Sequence, residues 1–304
     1  MNGNSHWPDL PLAAWSDTCD TLHLWTQIAG KVRLKLTPRI NHWWNVTFRV
    51  SSRGLIAPGN CYGGRSFDIV FDLFDHQLLI AADDGSVESF ALAPMSVADF
   101  HAAFMQRLNR LGIDVSIWTM PSEIEGAVPF EEDFKHAHYD PEYAARFRQA
   151  LIQAARVLTE FRARFIGKVS PVHFFWGSFD LAVTRFSGRT APPPQSSTPN
   201  VAPWVMAEAY SHEVSSCGFW PGNGGYGQAA FYVYAYPEPA GYGDTPLRTA
   251  EAFYDKSLGQ FILPYDAVRQ ARDPEALLLG FLQDTYEAAA DLAKWDRDAL
   301  ERAS

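Results

Sequence analysis

The sequence predicts an α+β fold made of two related halves. Each half is expected to be a (β)-α-β-β-β-β-α unit, with antiparallel sheets under long covering helices in a helix-grip, or TATA-binding-protein-like, element order. Three observations carry that expectation. A helical stretch runs into Asn41 to Val50 (NHWWNVTFRV), and a second runs into His173 to Arg185 (HFFWGSFDLAVTR). Each block is followed by a glycine-rich segment before an aromatic strand, Gly59 to Gly64 before Phe67 and Gly222 to Gly227 before Phe231. Each series then closes with a short apolar segment ending in proline (Phe90 to Pro94, Phe261 to Pro264) and a helix. An internal repeat constrains architecture more than any single motif does. The reading is an internal duplication with a pseudo-twofold axis. The halves are residues 1–112 and 113–304, packed as one body, with an insertion at 187–221 in the second.

The elements follow from spacing and punctuation. Ser16 or Asp17 caps a first helix with Leu22, Trp25, Ile28 and Val32 at helical intervals, and Pro38 ends it. Val46, Phe48 and Val50 alternate with polar neighbours as a half-buried strand does. Phe67 to Leu73 and Leu78 to Ala82 read as the next strands. Asp84-Gly85 supplies the positive φ of a tight turn before a fourth strand, Val87 to Leu92. Ser96 caps a helix that stops at Gly112.

Ile113 to Trp118 reads as a short strand opening the second half, and residues 121–140 as a polar connector. Tyr143, Phe147, Leu151, Ala154, Leu158, Phe161 and Phe165 then form the clearest helical stripe in the chain, a core-packing pattern. Strands are expected at Phe179 to Thr184, Phe231 to Tyr236 and Phe261 to Leu263, and a final helix begins at Asp273-Pro274. The Pro/Ser-rich run from Thr190 to Asn200 cannot pack as a core element. The insertion that contains it is expected to lie over the mouth of a cleft.

Composition excludes several function classes. Net charge is -10, so a phosphate backbone is repelled unless basic residues concentrate somewhere. Nucleic acid is therefore not an expected partner. No run of apolar residues is long enough to span a bilayer, so no membrane partner is expected either. Three cysteines without a CxxC suit a reducing cytoplasm. Aromatic residues make up 14% of the chain, enough to line a pocket for an apolar or planar small molecule as well as fill a core.

The blocks NHWWNVTFRV, YGGRSFDIVFDLFDHQLLI, HFFWGSFDLAVTRFSGR and SHEVSSCGFWPG together resemble a family of uncharacterised bacterial proteins known only as a domain of unknown function. The resemblance covers nearly the whole chain and implies no activity, substrate or site.

Candidate chemistry therefore rests on the residues. His42 and His173 occupy equivalent places in the two copies, and with His212 they form the candidate metal set; a divalent metal is one cofactor reading. No nucleotide-binding motif is present: Gly222 to Gly227 lacks a following Lys-Ser/Thr and leads into a strand. His212, Glu213, His173 and Cys217 are the candidate acid/base or nucleophilic groups. Trp43, Trp44, Trp176 and Arg185 are the candidate substrate contacts, with Arg185 holding a charged group. For each of these, a purely structural role is the competing reading. The expectation is an enzyme acting on a small, partly apolar or aromatic substrate in a cleft between the halves, by acid/base or metal-assisted chemistry. The alternative is a non-catalytic small-ligand-binding protein.

Overall fold

A computed structural model describes residues 6–195 and 197–302. It is a mixed helix and sheet structure with two antiparallel sheets, of five and six strands, and seven α-helices among the described residues. Helix α1 (Ser16–Leu36) leads into a five-stranded meander: β1 (Arg49–Ser51), β2 (Gly54–Tyr62), β3 (Arg65–Asp72), β4 (Gln77–Ala82) and β5 (Val87–Ala91). Helix α2 (Val97–Arg110) follows, capped by Ser96, whose hydroxyl accepts the Asp99 N–H. The aromatic stripe forms α3 (Pro141–Ala163), capped by Asp140.

The second sheet contains β6 (His173–Phe175), β7 (Asp180–Thr190), β8 (His212–Trp220), β9 (Ala230–Tyr236), β10 (Phe253–Asp255) and β11 (Gln260–Pro264). Its spatial order is β10-β11-β9-β8-β7-β6. A short helix α4 (Pro203–Ala209) lies between β7 and β8, and α5 (Tyr265–Gln270), α6 (Pro274–Leu292) and α7 (Arg297–Leu300) complete the chain.

The sheets meet at their first strands. Phe48 and Phe174 form an antiparallel bridge, exchanging N–H to C=O bonds of 2.9 and 2.8 Å. One core runs across this seam, joining Phe48, Phe71 and Phe100 to Phe147, Phe174 and Leu181. Helices α3 and α6 pack on β7, β8 and β9 and cover one face of the second sheet. Among the described residues no helix is long and apolar enough to cross a membrane.

Several expectations are corrected. Ile113 to Trp118 forms no strand and has no regular secondary structure. The segment read as a glycine-rich loop after the first block is strand β2, in which a bulge between Ala57 and Asn60 breaks the alternation that marks a strand. Part of the region read as an insertion is regular sheet: β7 extends to Thr190 and β8 runs from His212 to Trp220, with residues 191–211 between them outside the ladder.

Candidate functional site

The uncovered face of the second sheet is the floor of a cavity of about 460 Å3. Strand alternation decides which side chains reach it. From β7 they are Asp180, Ala182, Thr184 and Phe186; from β8, Val214 and Ser216; from β9, Tyr232 and Tyr234. The intervening Leu181, Val183, Cys217, Phe231 and Val233 point the other way, into the core. The walls come from outside the sheet: Lys31 and Leu34 near the end of α1, the turn His42 to Trp44, Trp118 to Glu123 in the connector, and Asn200 to Tyr210 including α4. Trp43, Trp44, Trp118, Trp176 and Trp204 make these walls strongly aromatic.

The cavity opens into an outer cleft of about 840 Å3 whose lining includes Asp20, His23, Glu125, His136 and Asn223. Glu123, Ser178, Asp180, Tyr210, Tyr232 and Tyr234 line both spaces and form the throat between them.

The throat holds two acids. Asp180 accepts hydrogen bonds from the Ser178 and Tyr232 hydroxyls. Burial nevertheless pushes its carboxyl above the ordinary carboxylate range, against the pull of those two donors. Glu123 is exposed as a residue, yet the protein crowded around its carboxyl, with the Asp180 charge beside it, pushes it up to about 7. Glycine makes room for Glu123 and for the hydroxyl that bonds Asp180: a Cβ on Gly177 would lie 2.1 Å from Glu123 Oε1, and one on Gly218 would lie 2.6 Å from the Tyr232 hydroxyl. The remaining floor polar groups pair among themselves, Thr184 with Ser216 at 2.8 Å and Tyr210 with Tyr234 at 3.0 Å.

Glu123 is held deliberately. Its φ is 64°, a left-handed conformation that costs a non-glycine residue free energy. His42, Trp43 and Asn200, which also line the cavity, share that strain, so four of the seven such residues described lie here. Strain persists only where the surroundings over-determine it, and they do. Gln27 on α1 grips the Ser122 backbone through both amide atoms, at 2.7 and 2.9 Å, and the Glu123 N–H donates to Pro199 C=O at 2.8 Å. Lys31 donates to the Ser122 hydroxyl at 3.1 Å. His23, one turn earlier, donates from Nε2 to Gly177 C=O at 2.8 Å, which leaves Nδ1 to accept from Asn223 at 3.1 Å; this is the tautomer those partners require. Burial holds His23 down to about 4, so it stays neutral.

Of the residues predicted from sequence, His42, Trp43, Trp44 and Trp176 line the cavity. The others do not. Arg185 occupies the core face of β7 at 1% exposure, its guanidinium 3.5 Å from the Phe161 ring centroid and 4.2 Å from that of Tyr286. It packs against α3 and α6 and does not line the cavity. Cys217 is on the same core face; burial pushes its thiol up to about 12, so it supplies no thiolate. Glu213 is tied to Arg189 at 2.6 Å and to Ser187 at 2.8 Å, away from the cavity lining. His173 is 1% exposed, bonded to Thr47 at 3.1 Å, and held down to about 3 by burial and then by Arg49 and Arg162.

The metal set is not assembled. His42 and His212 approach, with ring centroids 5.6 Å apart, but His173 belongs to neither. His42 Nδ1 donates to the Glu208 and Ala209 carbonyls at the end of α4, and Nε2 faces the Lys168 ammonium, which repels a cation. Burial and that ammonium hold His42 down to about 4. Among the described residues no group of three His, Cys, Asp or Glu side chains is spaced to hold a metal ion.

Sequence reasoning missed Lys31, Glu123, Asp180 and Tyr210. One signal was present: His23, Gln27 and Lys31 recur every fourth residue on a helix otherwise buried from Thr18 to Val32, a polar stripe aimed at one place. Glu123 lies in irregular chain and has no such signal.

The chain matches a family of unknown function, DUF5996, over residues 7–302, and belongs to that family. Neither the curated proteins nor the solved structures compared with it give a match.

Proposed function

We propose that the protein is an enzyme acting on a small, partly apolar, planar molecule, with Glu123 transferring a proton and Asp180 assisting it. The observation that carries this reading is the throat itself. A carboxyl brought to about 7 is half-protonated at neutral pH, the condition under which one group both donates and accepts protons efficiently. It sits beside a second raised acid, on strained backbone, at the junction of an aromatic cavity and a polar cleft. A volume of about 460 Å3 falls within the roughly 300–1,000 Å3 of small-molecule sites. The tryptophans offer stacking faces to a planar group.

Several finer features belong to the same proposal. The antiparallel pairing of β1 with β6 around Phe48 and Phe174, each strand opening its sheet behind a long helix, supports a pseudo-twofold origin by duplication. Three free cysteines suit a reducing cytoplasm. The partner is a small molecule, with neither nucleic acid nor a membrane involved.

The test is to incubate wild-type protein and Glu123→Gln with a metabolite extract and follow each by mass spectrometry. The expected result is a compound consumed by wild type and retained unchanged, bound, by the variant. Equal retention by both would favour a binding protein without catalysis; retention by neither would remove the cavity from consideration.

A further inference from the structure

We infer that the ligand of the tryptophan-lined cavity carries a carboxylate, and that Lys31 receives it. The inference rests on the cavity being the substrate site and adds the charge class of what enters. Lys31 lies on α1 at 4% exposure, lining the cavity. Its ammonium sits 4.7 Å from the Trp118 ring centroid and 5.9 Å from that of Trp176. Its hydrogen-bond partner is the neutral Ser122 hydroxyl. Burial alone lowers its proton affinity, to about 8, with no carboxylate close enough to oppose the shift. At neutral pH the amine is therefore mostly charged, nearly dry, and without a counter-charge.

A buried charge left unpaired is costly, and proteins neutralise it, pair it or hold it for a ligand. Here the aromatic faces and the single hydroxyl only partly replace water. An arriving carboxylate would complete the pair in a low-dielectric setting, where such a bond is strong. Among the described residues lining the cavity, Lys31 is the single Lys or Arg, so the site matches one negative charge better than a phosphate dianion. The two acids of the throat oppose an anion less than ordinary carboxylates would, because Glu123 is only half ionised at pH 7 and Asp180 is also raised. The resulting orientation puts the carboxylate at Lys31, the planar body between the tryptophans, and the reacting end toward Glu123.

The experiment uses a matched probe pair, 4-fluorocinnamate and its neutral amide, followed by fluorine NMR with the intact protein. Wild type is expected to bind the acid at least tenfold more tightly than the amide at pH 7. The preference should shrink toward pH 9.5, because Lys31 loses its proton above about 8 and Glu123 completes its ionisation; in Lys31→Arg only the Glu123 part of that decline should remain. Lys31→Met should abolish the preference without weakening amide binding, and Lys31→Arg, which keeps the charge, should retain it. Equal binding of acid and amide by wild type, or an unchanged preference in Lys31→Met, overturns the charge assignment and leaves the cavity as a site. Binding of neither probe overturns this inference and the cavity reading together.

Discussion

Replacing Lys31 by methionine should stabilise the protein while damaging its site. The ordinary lysine value of 10.5 falls to about 8 in the folded state. At about 1.4 kcal/mol per unit, carrying the charged amine costs the fold about 3 kcal/mol at pH 7. The side chain is 4% exposed, so little of that is screened by bulk solvent, although the adjoining cavity admits some. Methionine keeps the length and apolar stem and removes the charge, so a gain on the order of 2–3 kcal/mol is expected. The pH dependence fixes the cause. Because the folded pKa lies below the unfolded one, the unfolded chain binds the extra proton between about pH 8 and 10.5. The penalty is complete below that window and vanishes as pH rises through it. Urea denaturation of both proteins at pH 7 and pH 9.5 should show the advantage of the variant falling by about 2 kcal/mol. A variant no more stable than wild type at pH 7, or an advantage that does not change with pH, refutes the claim that Lys31 is a strained charge kept for binding.

Other outcomes follow from neighbouring contacts. Gly30→Ala would place a Cβ 2.3 Å from the Trp176 indole, so thermal melting should show a loss of at least about 2 kcal/mol. Arg189→Ala should cost less than about 1 kcal/mol in chemical denaturation, since its pair with Glu213 is half-exposed on the arginine side, and ligand binding should be unaffected. Alkylation of the native protein with iodoacetamide, read by mass spectrometry, should give one adduct at the exposed Cys61, because Cys19 and Cys217 are buried and burial raises both thiols.

The legible part of the fold was what one periodicity and one cap determine. Ser96 and Asp273 cap the helices expected of them, whereas α1 begins at Ser16 behind Trp15 with no side-chain cap, its position set by the apolar repeat alone. β2 was illegible because Pro58, Gly59 and the bulge interrupt its alternation. β8 was illegible because its core face presents Ser215 and Cys217 while its cavity face presents Val214 and Ser216, so polarity does not alternate at all. The tyrosine face of β9 was visible in the sequence, and it is the floor of the site. Arg185 and Cys217 misled for a common reason: a residue next to an aromatic block in sequence is, on a strand, as often turned into the core as toward a pocket.

The arrangement of the second sheet explains why the site belongs to this face. A sheet face packed only for stability would carry Val, Ile and Leu under a helix, as the α3 and α6 side does. The opposite face instead carries Asp180, Thr184, Ser216, Tyr232 and Tyr234. Each must find a partner once removed from water: Thr184 pairs with Ser216 and Tyr232 with Asp180 within the face, while Tyr234 reaches Tyr210 in the cover. Such a network, ending in a raised acid, adds less to stability than apolar packing would. Its cover is fixed to the frame by Trp43 Nε1 to Val205 C=O at 2.9 Å, by Gln27 to the Ser122 backbone and by Tyr210 to Tyr234, and the connector and the loop before α4 are joined to each other by Glu123 N–H to Pro199 C=O at 2.8 Å. The sheet therefore holds Asp180, Tyr232 and Tyr234, and the cover fixed above it brings Glu123 and Tyr210 to the same throat, so neither layer alone forms the site.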